Sequence, residues 1–184
     1  MSDEAKAQEL ISIFVCTKDA DIENFLKNKA IQFEKLGKSR TFFIYDEDRE
    51  DFKILGYFTL AIQVLKIPDQ LISGRKARLL DGFSSKIKSV KITEFPVILI
   101  GQLGKNEQYS ETLSGSKLLE YCLATILEGQ ALLGGRIILL ECKNKPYLIS
   151  LYEQFGFNIL DNDNPKDELI QMIKILHYED IITI

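Results

Sequence analysis

The feature of this sequence that most restricts its fold is an apolar segment leading through a polar loop into a second apolar segment. Residues 95–103 are mostly apolar, residues 104–114 are mostly polar, and residues 116–133 repeat apolar side chains at helical spacing. Glycines 134 and 135 follow, and glycine ends helices well because it adopts left-handed conformations. The pattern predicts a buried strand, a loop and a buried helix in that order.

The other segments alternate between helical and strand-like patterns. Over residues 21–37, apolar residues recur at spacings of three and four residues, which predicts an amphipathic helix. A proline at the start and a glycine after the end predict a shorter helix over residues 146–155. Strand-like runs occupy residues 41–45, 54–60, 97–103, 136–142, 157–160 and 169–176. The acidic residues 46–51 suit a hairpin connection. This order predicts a mixed α/β sheet with helices packed on it.

Length and composition indicate one globular domain over residues 1–184, since 184 residues with 46% hydrophobic content bury a full core. No apolar run approaches the roughly 18–20 residues of a membrane span. The N-terminus lacks a secretory pattern, which predicts a cytoplasmic protein without membrane association. Three cysteines in apolar segments, Cys16, Cys122 and Cys142, favour reduced core thiols over a disulfide framework or a metal site.

The net charge argues against broad, non-specific binding to nucleic acid. A formal charge of -4 and a pI near 5.2 leave few surplus cations to neutralise phosphates. Residues 74–91 are the exception, with six basic residues and one acid, Asp81. Two interpretations stay open for this segment: a solvated face, or a patch that steers an acidic substrate.

The loop before the second apolar helix has the composition of an anion site. A strand followed by a loop and a helix start presents unpaired N–H groups and the positive end of a helix dipole. In this hypothesis the N–H groups of residues 113–117 face a diphosphate, Gly115 admits close approach, and Ser116 and Lys117 add polar contacts. A purely structural turn is the alternative, because one glycine between a strand and a helix is common.

Four blocks of this sequence resemble the GNAT superfamily of acetyltransferases, in particular the branch of toxins from toxin–antitoxin pairs. The blocks are residues 25–30; residues 39–45 with 54–60; residues 95–103 with 114–119; and residues 138–141 with 151–157. The last block reads Leu-Tyr-x-x-x-Gly-Phe and is the most specific. Gly115 matches the final small residue of the family's Gln/Arg-x-x-Gly-x-Gly/Ala loop, whereas Ser110 and Leu113 replace its first residue and its middle glycine.

The resemblance implies a fold, a cofactor and a set of binding residues. The implied fold is a mixed, mostly antiparallel central sheet flanked by helices, with strands that splay at the acetyl-CoA site. The implied reaction transfers acetyl from acetyl-CoA to a primary amine by direct attack. The residues that the resemblance assigns to the cofactor are Gln102, Leu103, Gly104, Leu113, Ser114, Gly115, Ser116, Lys117 and Asn144.

Two residues are candidates for proton transfer. The resemblance makes Tyr152 the general acid that protonates the departing thiolate, although a tyrosine on an amphipathic helix is otherwise core packing with a polar tip. No carboxylate lies on the strand 96–103, so Glu141, Tyr57 or water would take the amine proton. Glu141 is equally suited to be an exposed strand residue.

Rival functions stay open. One is a GNAT-fold interaction module that is catalytically weak or inactive, since the loop lacks two signature residues. Another, implied by the toxin branch, is a toxin that acetylates aminoacyl-tRNA and has a small antitoxin partner; a homodimer is also open. Motifs of P-loop NTPases, zinc proteases and α/β-hydrolases are not found, and no metal site is predicted.

Overall fold

A computed structural model describes residues 3–46, 52–160 and 169–177. In chain order the elements are α1 (Asp3–Ser12), α2 (Ala20–Asn28), α3 (Ala30–Lys35), β1 (Arg40–Tyr45), β2 (Ile54–Lys66), α4 (Gly74–Asp81), β3 (Lys86–Ile87), β4 (Val90–Lys91), β5 (Glu94–Lys105), α5 (Gly115–Leu133), β6 (Ile137–Lys143), α6 (Pro146–Gln154), β7 (Asn158–Ile159) and β8 (Leu169–Ile175). A 3-10 turn, Glu107–Tyr109, lies between β5 and α5.

Six of these strands form one sheet in the order β1-β2-β5-β6-β8-β7. β1 pairs antiparallel with β2, and β8 pairs antiparallel with both β6 and β7. The predicted mixed α/β class, with a mostly antiparallel central sheet, is therefore confirmed. The splay of strands at a cofactor site stays a prediction.

The chain divides into two compact units. The first consists of Met1–Ala61 and Ile100–Ile126, and the second of Ile62–Leu99 and Leu127–Ile184. The single domain predicted for residues 1–184 stays a prediction. Within the described ranges, no helix is long and apolar enough to cross a membrane.

The core of the first unit forms between its helices and β2. Its buried members are Ile11, Phe14, Cys16, Leu26, Ala30, Ile54 and Tyr57. Phe14 and Tyr57 meet edge to face, with ring centroids 5.4 Å apart, an arrangement that the aromatic quadrupoles favour. This core fixes the segment after α1 against β2.

The core of the second unit packs α4 on one face of the sheet. Its buried members are Leu65, Ile67, Ile72, Ala77, Leu80, Ile92, Phe95, Val97, Ile137, Leu139, Leu160 and Ile173. Residues 137–140 of β6 are all buried, which is typical of a strand covered on both faces. The three cysteines are buried free thiols as predicted, and burial raises the pKa of Cys142 to about 11.

The structure differs from the predicted elements in two respects. The helix predicted over residues 21–37 is interrupted at Lys29, whose φ of −127° separates α2 from α3. Four elements had no recognisable pattern in the sequence, namely α1, α4, β3 and β4, because they are short or weakly amphipathic. Residues 47–51 and 161–167, predicted to be connections, lie outside the described residues.

Candidate active site

The polar loop between β5 and α5 is anchored by Asn106. This side chain is fully buried, and its Nδ2 donates to the Ile54 carbonyl oxygen at 3.0 Å. Its Oδ1 accepts from the N–H groups of Gln108 at 3.2 Å and Val15 at 3.4 Å. A buried polar side chain is costly unless its hydrogen bonds are made, so these contacts determine where the loop begins.

Glu107 ties the same loop to the segment after α1. Its carboxylate accepts from the Thr17 hydroxyl at 2.6 Å and from the Lys18 N–H at 2.8 Å, and its own N–H donates to the Val15 carbonyl oxygen at 2.9 Å. The hydrogen bond from Thr17, followed by that from Lys18, holds the pKa of the Glu107 carboxyl below its usual value. The loop is thus anchored by an ionised carboxylate.

Two glycines allow the loop to pack closely. A β-carbon at Gly104 would clash with Ile22 Cγ2, and one at Gly56 would lie 2.8 Å from Leu113 Cδ2 and 3.1 Å from the Gly104 carbonyl oxygen. These distances are well below van der Waals contact, so a side chain at either position requires its neighbours to move. The predicted site residues Gly104 and Leu113 are therefore brought together beside Gly56.

Leu113, which the resemblance aligns with the middle glycine of the GNAT loop pattern, is a core residue in this structure. Its side chain is only 3% exposed, and its carbonyl oxygen accepts from Lys105 Nζ at 2.7 Å. The same ammonium also donates to the Ser110 carbonyl oxygen at 3.4 Å. Lys105 therefore connects the end of β5 to the far end of the loop, and these contacts order a loop that is longer than the pattern.

The start of α5 has the donor arrangement of an anion site. Ser114 Oγ accepts from the Lys117 N–H at 3.0 Å, and the Ser114 carbonyl oxygen accepts from the Leu118 N–H at 3.0 Å. Ser114 is thus the N-cap, and helix geometry leaves the N–H groups of Gly115 and Ser116 without intrahelical partners. The donor set fits a phosphate or diphosphate, since unpaired N–H groups and the helix dipole both favour negative charge.

The Lys117 side chain is engaged with its own helix. Its ammonium lies 2.8 Å from Glu120 Oε2 and 5.1 Å from the centroid of the Tyr121 ring. The hydrogen bond to Glu120 raises the pKa of Lys117. A phosphate at this helix start would therefore compete with Glu120 for the ammonium, whereas the N–H groups of Gly115 and Ser116 need no such exchange.

The predicted site residues are divided between the two units. Gln102, Leu103 and Gly104 lie just before the end of β5, and together with the segment 113–117 they belong to the first unit. Gln102 and Leu103 are half-buried, and Gly104 is buried. Glu141, Asn144 and Tyr152 belong to the second unit.

Tyr152 lies on α6 with its side chain 8% exposed. Its ring meets Phe157 edge to face at a centroid distance of 5.9 Å, and its carbonyl oxygen accepts from the Phe157 N–H at 3.1 Å. Lys174 of β8 donates to the Phe155 carbonyl oxygen at 3.0 Å. A cation at a helix C-terminus is favourable, so Lys174 fixes the end of the helix that carries Tyr152.

Glu141 and Asn144 are both exposed. On β6, Glu141 pairs with Gln171 of β8, and Gln171 Nε2 donates to Glu141 Oε1 at 2.8 Å. Asn144 lies in the turn before α6, where the Lys145 N–H donates to the Lys143 carbonyl oxygen at 2.7 Å. The accessible carboxylate and amide retain capacity for further hydrogen bonds, and their functional roles stay predictions.

Tyr57, considered above as a proton acceptor, has a structural role. Its side chain is fully buried, and its hydroxyl donates to the Ile22 carbonyl oxygen at 2.6 Å. Burial raises the pKa of this phenol far above its usual value. A hydroxyl that stays neutral and donates its hydrogen bond to a backbone carbonyl does not serve as a base.

Sequence reasoning missed the residues that organise the loop, namely Gly56, Lys105, Asn106 and Glu107. Gly56, Asn106 and Glu107 have partners far away in the sequence, so no local spacing links them. The contacts of Lys105 with Ser110 and Leu113 depend on the path of the loop. The one available signal is Asn106, a residue typical of turns directly after an apolar strand, but its burial becomes visible only in the structure.

Comparisons with family models and with curated proteins give no match to this sequence. Among solved structures, the chain is similar to the toxin AtaT complexed with acetyl-methionyl-tRNAfMet, with 14% identity, a TM-score of 0.64 and coverage of 94% of this chain and 89% of that one. It is also similar to a tyrosine-to-phenylalanine mutant of AtaT bound to the C-terminus of the antitoxin AtaR and acetyl-CoA, with 13% identity, a TM-score of 0.59 and coverage of 86% and 81%.

A tyrosine-to-phenylalanine mutant of KacT is similar as well, with 16% identity, a TM-score of 0.66 and coverage of 93% of this chain and 91% of that one. At these identities the likeness concerns the fold. The six-stranded, mostly antiparallel sheet with its helices is a GNAT-like fold, as the sequence motifs predict.

Proposed function

We propose that this protein is an N-acetyltransferase that transfers acetyl from acetyl-CoA to a primary amine. The observation that carries the proposal is the capped start of α5, where helix geometry leaves the N–H groups of Gly115 and Ser116 without intrahelical partners at the end of an anchored loop. One AtaT structure of the same fold is bound to acetyl-CoA, which supports this choice of anion. We further propose that residues 1–184 act as one domain, in the cytoplasm, where free thiols such as its three cysteines persist.

In this proposal the end of β5 and the start of α5 bind the cofactor. The N–H groups of Gly115 and Ser116 and the Ser114 hydroxyl hold the diphosphate, and Lys117 adds its charge after exchange from Glu120. The main-chain groups of Gln102, Leu103 and Gly104 pair with the pantetheine amides. Leu113 contributes its N–H group while its side chain keeps the loop packed on Gly56.

In the same proposal Tyr152 and Glu141 carry out proton transfer. When bound, acetyl-CoA supplies a thioester whose carbon–sulfur bond breaks as the amine nitrogen bonds to the carbonyl carbon. Tyr152 donates its phenolic proton to the departing sulfur, and Glu141, or water, takes the proton that the amine loses. Asn144, in the turn before α6, orients the cofactor. Gln171, which donates to Glu141, holds that carboxylate in place.

The acceptor class we propose is the amino group of an aminoacyl-tRNA. AtaT, whose fold this chain shares, has been captured with acetyl-methionyl-tRNAfMet. The chain would then have a toxin's activity and a small antitoxin as its partner, as AtaT has AtaR. A homodimer is compatible with this proposal.

Product analysis tests the proposal. The protein is incubated with acetyl-CoA and either aminoacyl-tRNAs or small primary amines, and the products are identified by mass spectrometry with release of free thiol as a second readout. We expect an acetylated α-amino group on at least one aminoacyl-tRNA. Thiol release at the uncatalysed rate with every acceptor would contradict the proposal.

A second function, a GNAT-fold interaction module without catalysis, is favoured by one observation. The Lys117 ammonium is already paired with Glu120, and Leu113 stands in place of a loop glycine. This loop therefore offers a cofactor fewer binding groups than a loop that carries the full pattern. Binding of an antitoxin-like partner with no measurable affinity for acetyl-CoA would establish this alternative.

A further inference from the structure

A basic surface in the second unit is built from α4 and the β3–β4 hairpin. Residues 74–91 contain six basic residues and one acid, in a chain with 23 basic and 27 acidic residues overall. Among the described residues, Lys91 is the only one of the six with an ion-pair partner, Asp69 at 2.9 Å. The other five, Arg75, Lys76, Arg78, Lys86 and Lys88, have none there. Unpaired cations this concentrated, in an acidic chain, indicate a binding surface for a polyanion.

The two parts of this basic surface are joined by a hydrogen bond at the end of α4. Asp81 accepts from the Ser84 N–H at 2.7 Å and so links the end of α4 to the hairpin. Arg75 and Arg78 are three residues apart and share one face of α4, because residues at this spacing are neighbours on a helix.

The β3–β4 hairpin is built largely from basic residues. Lys86 pairs directly with Lys91 across β3 and β4, and the Lys91 ammonium is held by Asp69 at 2.9 Å. The two-residue turn consists of Lys88 and Ser89 at φ of 48° and 70°, a conformation for which asparagine and glycine are suited and lysine is not. A strained turn that carries a lysine at an exposed tip supports a role for this hairpin in binding.

An exposed aromatic ring extends the basic surface. Phe83 follows α4 and is 91% exposed, with the half-exposed Leu79 one helical turn before it. Aromatic rings beside unpaired cations suit unstacked bases, since a base stacks on the ring while the cations contact its phosphates. A lipid headgroup or an acidic peptide would use the cations without needing this ring.

We propose that the basic surface of α4 and the β3–β4 hairpin binds the phosphate backbone of the RNA that carries the acceptor amine, with Phe83 stacking on an unpaired base. The identity of the RNA rests on the proposed function, whereas the binding surface follows from the charge and exposure of its own residues. Lys86, Lys88, Arg75 and Arg78 act as phosphate contacts and Phe83 as a stacking platform.

Two double variants with equal loss of charge test the proposal. Lys86→Gln with Lys88→Gln removes two contacts from the basic surface, and Lys29→Gln with Lys38→Gln removes two exposed lysines from the first unit. Binding of deacylated tRNA is measured by fluorescence anisotropy over a series of salt concentrations. We expect the first pair to weaken binding about tenfold and to reduce the slope of log Kd against log salt by about 1.5, because each lost phosphate contact contributes about 0.7–0.9.

The control pair is expected to bind tRNA like the unmodified protein, and Phe83→Ala is expected to weaken binding without changing the salt slope. Acetylation of aminoacyl-tRNAs and of a small primary amine is measured on the same variants. If tRNA binding depends on Lys86 and Lys88 while no acetyl transfer occurs, the basic surface stands and the proposed function fails. If both pairs bind tRNA equally, or if the lysines are needed for anionic vesicles and not for tRNA, the proposal is overturned.

Discussion

Replacement of Tyr152 by phenylalanine is expected to lower kcat by about 10²–10⁴-fold, the usual contribution of a positioned general acid. The ring that meets Phe157 is retained, so the packing around α6 and the affinity for acetyl-CoA should be unchanged. The expected fall in kcat arises because the departing sulfur no longer receives a proton from the Tyr152 hydroxyl. Steady-state thiol release, together with a binding titration of acetyl-CoA, measures both quantities.

Tyr147→Phe is the matched control for this prediction. Tyr147 lies on the same helix and is 66% exposed, so removal of its hydroxyl should alter neither kcat nor stability. Equal kcat values for Tyr152→Phe and the unmodified protein would remove Tyr152 from catalysis and leave it as a packing residue.

Replacement of Asn106 by alanine is expected to destabilise the protein by about 3 kcal/mol. The Ile54 carbonyl oxygen would lose its donor inside the first unit, which alone costs about 1–3 kcal/mol, and the N–H groups of Gln108 and Val15 would lose their acceptor. For a chain of this size, each kcal/mol corresponds to about 2–4 °C in Tm. Thermal unfolding followed by circular dichroism measures the change.

Asn28→Ala provides the comparison, since Asn28 is an exposed helical residue whose Nδ2 donates to Asn24 Oδ1 at 2.8 Å. Its replacement should shift Tm by no more than about 2 °C, because exposed hydrogen bonds contribute little and alanine favours the helix. Equal shifts for Asn106→Ala and Asn28→Ala would show that the buried amide does not anchor the loop.

The fold could be predicted from the sequence where patterns are local. The long helix α5 and the strands β5 and β6 have apolar residues at spacings that a single segment reveals, and the Leu-Tyr-x-x-x-Gly-Phe block marks α6 and its exit. The hairpin of β3 and β4 escaped prediction because two-residue strands contain no periodicity, and its turn uses Lys88 and Ser89 in place of the usual asparagine and glycine.

The candidate site was predictable in part. The N-cap serine and the glycine that opens α5 are signals of a helix start, so the position of the donor groups follows from local rules. The reason that Leu113 replaces a glycine is not local, because the leucine side chain fills space beside Gly56, more than fifty residues earlier. Burial of Asn106 and the pairing of Lys105 with Leu113 are likewise products of tertiary structure.

The start of α5 can be altered one donor at a time. Gly115→Pro removes a single N–H group at the first helical position, where proline is well tolerated, and Ala20→Pro makes the same change at the first position of α2. Both variants should fold. Only the first lacks a donor that the proposed diphosphate site requires.

Thermal unfolding with increasing acetyl-CoA tests the central claim, that this helix start binds the cofactor. At a concentration 100 times Kd, one-site binding stabilises the native state by about 2.7 kcal/mol, which corresponds to a rise in Tm of about 5–11 °C. We predict this rise for the unmodified protein and for Ala20→Pro, and a much smaller one for Gly115→Pro. An unchanged Tm for the unmodified protein at millimolar acetyl-CoA, or equal rises for both proline variants, would contradict the account.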